Sequence, residues 1–308
     1  MGLVLEKTVM AGTAQAGMAL LSILILFFVL SVLIYNLVDQ QTLDIHRTSA
    51  FVGNLEQEQY LLNAESFAIA MLKQDRKKDL AAVNKPLMDS LSETWAAKQT
   101  LDLDGGNLRF RIWDAQGLIN VNNLFIEDKL DEATLAAVKS MLATRKAMLG
   151  DKESKILLDF RKTQKIFADL DQFYNLLGIA LPVRAALDGC MIALPPDTKL
   201  NVNTASLPVL QAFNTSITSG ALQQLMDERR RNGQLETLPG YGRRFGLSSR
   251  FFIVQATGSY RNNTLHMKSL LFRNSKESDA INVVSRETSA FPLDAMERGL
   301  CGTGKEVK

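Results

Sequence analysis

The peptide bond between Gly17 and Met18 is where this sequence most invites chemistry. The small residues Ala14-Gln15-Ala16-Gly17 precede an apolar run, Met18-Ala19-Leu20-Leu21-Ser22 through Leu30, rather than following it. A secretory signal has the opposite order, so that cleavage discards its apolar core. Hydrolysis after Gly17 would keep that core as an N-terminal anchor, with Ser22 as its fifth residue. The other reactive pair is Cys190 and Cys301, the two cysteines of the chain. An even count in an exported segment predicts one disulfide. It would close a loop of about 110 residues and contribute roughly 4–5 kcal/mol in the chain-entropy model. Two buried free thiols are the other reading.

Catalytic and metal chemistry find little support. The two histidines, His46 and His266, fall on a predicted helix and a predicted strand, away from any nucleophile motif. There is no Gly-rich phosphate loop and no His/Cys metal spacing, so no catalytic residue is assigned and the chain reads as a non-enzyme. Asp159, Asp169 and Asp171 are the oxygen ligands that calcium would use. Only Asp169-Leu170-Asp171 alternates, without the glycine turn or the following Glu of a calcium loop, so no metal ligand is assigned either.

Phosphate recognition is the remaining chemistry. Leu200-Asn201-Val202-Asn203-Thr204-Ala205-Ser206, the basic Arg229-Arg230-Arg231 and Leu238-Pro239-Gly240-Tyr241-Gly242 together resemble the helix-hairpin-helix modules of membrane-anchored DNA-uptake receptors. In those modules a Pro-Gly-x-Gly hairpin aims backbone amides at a DNA phosphate. The first hairpin here, 214–220, lacks the paired glycines, and three adjacent arginines equally suit a solvated helix face. A net charge of +2, with both signs interspersed, also argues against nonspecific nucleic-acid binding. The DNA receptor stands as the alternative function.

Elements must hold these residues. From Thr8 to Val38 no side chain is charged. Met18 to Val38 as a helix is about 31 Å long, near the hydrocarbon thickness of a bilayer. Its apolar residues surround the axis, which suits a span rather than an interfacial helix. Asp39, Asp44, Arg47, Glu56 and Glu58 just beyond it sum to −3, which favours a cytoplasmic N-terminus and an exported bulk. Phe51, Leu55, Leu62 and Ile69 continue a helical period, predicting a helix that ends near Lys73. Thr100–Leu103 and Asn107–Trp113 alternate around Asp104-Gly105-Gly106, a hairpin signal. Asp114-Ala115-Gln116-Gly117 turns into Leu118–Asn122. Helices are predicted over 131–149, 154–177, 204–213 (Thr204 as N-cap) and 221–231, then strands over 250–257 and 264–272. The last 36 residues show no pattern, and no internal repeat is evident.

Taken together, the leader, the anchor and the interrupted sheet resemble general secretion pathway protein K, a minor pseudopilin family of the type II secretion system. The pieces carrying the resemblance are Gly17-Met18-Ala19-Leu20-Leu21, Glu58 to Ala70, Trp113 to Leu124, Leu200 to Ala205 and Ser249 to Gly258. The resemblance implies an α+β fold: a long N-terminal transmembrane helix continues into a pilin-like helix-plus-antiparallel-sheet domain with a large all-helical insertion. Its divisions would be a prepilin leader (1–17), a transmembrane helix (18–38), a first part of the pseudopilin domain (39–125), a helical insertion domain (126–247), and closing strands and tail (248–308). It also implies cleavage and N-methylation by a prepilin peptidase. The protein would be a single-pass bacterial inner-membrane protein with its C-terminal bulk in the periplasm. Its role would be non-enzymatic: with other minor pseudopilins it would form the tip of the pseudopilus and initiate assembly of the major pseudopilin, for export of folded proteins across the outer membrane. Ser22 replaces the glutamate most pilin-like subunits carry at mature position five, which suits an end position. Family members bind calcium through an acidic, glycine-containing segment. The stretch 158–177 does not keep that pattern, so no cofactor is carried over. A type IV pilus minor pilin would share the leader and differ in its partners.

Overall fold

The computed structural model describes residues 6–81, 86–103, 105–164, 166–187, 189–238, 243–260, 263–274, 280–291 and 301, with side chains of the first helix described from residue 18. The chain divides into two compact units, Met1–Glu56 and Gln57–Lys308.

The first unit is helical throughout its described length, the beginning of α1 (Glu6–Ala81). Among the described residues α1 is the one helix long and apolar enough to cross a membrane, and none of its most apolar stretch is buried. Its hydroxyls are satisfied within the helix: Ser22 Oγ donates to the Met18 carbonyl at 2.9 Å, and Ser31 and Thr42 do the same one turn back at 2.8 Å. A polar side chain bonded to its own backbone can sit in an apolar medium without an orphaned donor.

In the second unit α1 turns amphipathic. Leu61, Ala64, Ala68 and Leu72, spaced three and four apart, have no exposed surface and form one stripe. They pack on a five-stranded antiparallel sheet. Its strands are β1 (Gln99–Leu103), β2 (Gly106–Asp114), β9 (Phe251–Tyr260), β10 (Asn263–Arg273) and β11 (Ile281–Ser289), in the order β1-β2-β9-β10-β11. Leu108, Phe110 and Ile112 of β2 face α1, as do Phe252, Val254 and Ala256 of β9 and Met267 and Leu271 of β10. Gly106 has a steric role: a Cβ there would lie 2.4 Å from the Ser259 carbonyl oxygen of the neighbouring strand.

Between β2 and β9 lies a second core. The chain runs through β3 (Ile119–Asn120), β4 (Phe125–Ile126), β5 (Lys129–Leu130), α2 (Glu132–Ala143), α3 (Asp151–Thr163), α4 (Leu170–Leu176), α5 (Leu181–Leu187), β6 (Met191–Ile192), β7 (Leu200–Asn201), α6 (Leu207–Ala212), α7 (Ser219–Asn232) and β8 (Phe245–Gly246). These are mostly short helices around one apolar cluster containing Val138, Leu142, Phe167, Phe173, Val209 and Phe245.

Several expectations need correction. α1 does not stop near Lys73. Asp75 and Arg76 of the charged run are buried and face inward, and the helix continues to Ala81. The helix expected over 154–177 is two. It breaks where Phe167 enters the core, stacked on Phe160 at 4.2 Å and edge-on to Phe173 at 5.4 Å, and Asp169 caps the second piece. Thr204 is not the cap of α6; Ser206 is, with Pro208 in the first turn. The unpatterned tail contains β11, whose residues are almost all exposed. Without a buried face it has no period to betray it.

Candidate functional site

The strongest concentration of buried polar groups sits where β2 ends, β7 begins and β9 starts. Asp114, with 1% of its surface exposed, closes β2 and is the centre of this cluster. Its Oδ1 accepts from the Gln116 amide at 2.8 Å. Its Oδ2 accepts from Thr204 Oγ1 at 2.6 Å, Ser249 Oγ at 2.5 Å and Asn201 Nδ2 at 2.9 Å. Burial drives the Asp114 carboxyl up to about 6, and the hydroxyl bonds from Ser249 and Thr204 restrain the rise. Beside it, Asp89 accepts from the Ser249 amide and, through both oxygens, from one Arg273 nitrogen at 2.6 Å. That same nitrogen reaches the Ser249 carbonyl at 2.7 Å.

Asp75, Asp89 and Glu93 bring carboxylate oxygens within 4.8 Å of one another. Burial, then the charges of Asp89 and Asp79, push Asp75 up to about 7. Burial and the charge of Asp75 push Glu93 up to about 8. Arg273 already neutralises Asp89 and lies 3.7 Å from Asp75, so the group acts as a compact, partly protonated brace.

Two Asn-x-Asn pieces are built alike. In Asn120-Val121-Asn122 the first asparagine accepts from the backbone amide of the second at 3.1 Å. Asn122 then pairs with the backbone of Phe167, accepting at 2.7 Å and donating at 3.0 Å. In Asn201-Val202-Asn203 the first again accepts from the second, at 3.0 Å, and Asn203 pairs with the backbone of Leu235 at 2.8 and 3.1 Å. Each valine is fully buried. Each piece starts a two-residue parallel pairing, β3 with β6 and β7 with β8. The likeness spans three residues in each piece, too few to make an internal repeat. Asp89 and Arg273 were missed altogether, since they are 184 residues apart and neither lies in a motif.

The other candidate residues are placed as follows. Gly17, Met18 and Ser22 lie on α1 in the first unit. Cys190 and Cys301 are joined by a disulfide, with Cα atoms 4.5 Å apart and a sequence separation of 111. Asp159 pairs with Lys162, Asp169 caps α4, and Asp171 lies 3.8 Å from Arg184; the structure puts each to a different use. His46 is exposed on α1, and His266 lies half-buried on β10, 3.1 Å from Thr257 Oγ1. Arg229 donates to the Ala205 carbonyl at 2.8 Å and Arg230 pairs with Asp227. The expected hairpin at 239–242 lies outside the described residues.

The family model described as type II secretion system protein K matches residues 200–250, a stretch that holds Asn201, Asn203, Thr204 and Ser249. Type II secretion system protein K of Pseudomonas aeruginosa is 29% identical over 249 residues, 71% of this chain and 74% of that one. Protein K of Aeromonas hydrophila is 30% identical over 113 residues, 36% of this chain and 32% of its own. That of Klebsiella pneumoniae is 28% identical over 109 residues, 35% of this chain and 32% of its own. In fold, the chain resembles a chain of the crystal structure of the GspK-GspI-GspJ complex from the enterotoxigenic Escherichia coli type 2 secretion system. The TM-score is 0.58 at 17% identity, covering 79% of this chain and 99% of that chain. Family model, relatives and fold point the same way: the chain is similar to type II secretion system protein K.

Proposed function

We propose that this protein is the tip-forming minor pseudopilin of a type II secretion pseudopilus. The observation that carries the proposal is the match to protein K of Pseudomonas aeruginosa across 71% of the chain, running through both the sheet and the segment inserted between β2 and β9. In this reading a prepilin peptidase cuts after Gly17 and methylates Met18. Residues 18–38 then hold the protein in the inner membrane, N-terminus in the cytoplasm, and the bulk folds in the periplasm, where the Cys190–Cys301 bond forms. The divisions are leader 1–17, span 18–38, pseudopilin parts 39–125 and 248–308, and helical insertion 126–247.

Ser22 supports an end position. A buried carboxylate at that place would need a neighbour's N-terminal amine, because an unpaired charge in lipid is costly. Here the hydroxyl is satisfied by its own helix at 2.9 Å, so the subunit brings no such demand. The structural neighbour comes from a complex with GspI and GspJ, and partners of that kind, followed by the major pseudopilin, are the ones proposed here.

The test is N-terminal sequencing of the exported form together with capture of pilin-like partners by the full chain in detergent. A mature terminus at Met18 and recovery of other minor pseudopilins are expected. Substituting Gly17→Val should leave the precursor uncut and abolish secretion. A mature terminus beyond Val38 would remove the anchor and overturn the reading. Salt-sensitive retardation of duplex DNA, without partner capture, would favour the receptor instead.

A further inference from the structure

The sheet face turned away from α1 carries a small basic cleft. On β2, Arg109, Arg111 and Trp113 alternate with Leu108, Phe110 and Ile112, which face the helix, so they share the opposite face. The register sets Arg109 beside Thr257 and Arg111 beside Gln255 on β9. Lys98, just before β1, completes a cleft of about 240 Å³ lined by Lys98, Arg109, Arg111, Trp113, Gln255 and Thr257.

Three features of this cleft call for an anion. Lys98, Arg109 and Arg111 form no ion pair among the described residues. Acids on the same face lie apart from it: Asp102 accepts from Asn107 Nδ2 at 3.1 Å, and Glu287, opposite Lys268 in the register, is on β11, three strands from β2. The Arg111 guanidinium lies over the Trp113 ring at 3.9 Å and donates through Nε to the Ala96 carbonyl at 3.2 Å. Stacking and that bond fix its plane and leave its terminal nitrogens unassigned. Finally, Trp113 is 5% exposed, yet its indole N–H has no acceptor. A buried donor without a partner is costly, so such groups ordinarily have one.

We propose that this cleft is a carboxylate-binding site, taking an Asp or Glu side chain from an acidic segment of a protein partner. The volume suits one side chain and falls below the range of organic-ligand pockets. A fixed guanidinium fork matches a carboxylate in two parallel bonds. The cations form one patch, not the extended stripe that tracks a phosphate backbone. The site stands whether or not the secretion reading does, since it rests only on the sheet.

The experiment is fluorescence anisotropy of a labelled, capped tri-glutamate peptide titrated into the full chain in detergent micelles. Saturable binding that weakens as salt rises to about 0.5 M is expected, with none for the tri-glutamine peptide. Arg111→Gln should weaken binding by about tenfold or more, and the exposed Arg109→Gln by a few-fold with unchanged melting temperature. Equal binding of the glutamine peptide, full affinity in both variants, or no binding at all would overturn the proposal. Tighter competition by inorganic phosphate would reassign the cleft to a free oxyanion, and tighter competition by an oligonucleotide would reassign it to nucleic acid; either also overturns it.

Discussion

Asn122 and Asn203 each use one side-chain amide to complete the backbone of a residue far along the chain, Phe167 and Leu235 respectively. Such an amide does what a strand neighbour would do, where no strand fits. Asn122→Ala would orphan the Phe167 amide and carbonyl and the Leu194 carbonyl, which Asn122 also reaches at 2.9 Å. At about 1–3 kcal/mol for each unmet group, a loss of about 3 kcal/mol or more is expected, roughly 6–12 °C in Tm for a domain of this size. Asn63→Ala, on the exposed side of α1, should change stability by under about 0.5 kcal/mol. Thermal melts of both variants check this, and equal effects would contradict it. Both Asn-x-Asn pieces lie within segments that carry the family resemblance, Trp113 to Leu124 and Leu200 to Ala205. Their role depends on Phe167 and Leu235, 45 and 32 residues away, and no local pattern encodes that distance.

At the scale of elements, what was legible followed burial. The β1–β2 and β9–β10 ladders and the stripe of α1 each have one apolar face, so their periods were readable. β11 has none, and the structure shows what fixes it instead: its ladder to β10 and an ion pair to α1. Arg286 Nε donates to Glu65 at 3.0 Å, and Ser269 Oγ to the same carboxylate at 2.6 Å. Burial opposes ionisation of Glu65, but the bonds from Arg286 and Ser269 prevail and hold its carboxyl below the usual value. The two partners are unequal, since Glu65 is buried while Arg286 is part-exposed. Arg286→Ala strands a buried charge, whereas Glu65→Gln lets the arginine return to water. The first should therefore cost more, by about 1–2 kcal/mol, and should speed amide hydrogen exchange in β11 before other strands. Because the folded carboxyl is depressed, this contribution is present at neutral pH and is lost as pH falls through the lowered value. Equal costs for the two variants would show that the pair is effectively solvated.

Over the whole molecule, the two cores meet through groups whose protonation depends on their burial. Asp114, Asp75 and Glu93 are raised to about 6, about 7 and about 8 from ordinary values of 3.8, 3.8 and 4.5. An acid raised on folding binds its proton more tightly in the native state than in the unfolded chain. Its stabilising contribution is full below the unfolded value and is lost as pH rises through the folded one. For these three groups the window runs from about pH 4 to about pH 8, where the depressed Glu65 and Asp131 are already ionised in both states at its upper end. Stability should therefore fall from pH 5 to pH 8, opposite to a protein held by exposed ion pairs. Asp75 is the informative member, because its charge also raises Glu93. Asp75→Asn keeps the shape and removes that charge, so it should raise Tm at pH 8, leave it nearly unchanged at pH 5, and flatten the slope between. Melting the full chain in detergent across this range, wild type beside variant, measures the slope directly. A wild-type Tm that climbs toward pH 8, or a variant with the same slope, would mean that the acids are solvated in the native protein and do not brace the joint between the cores.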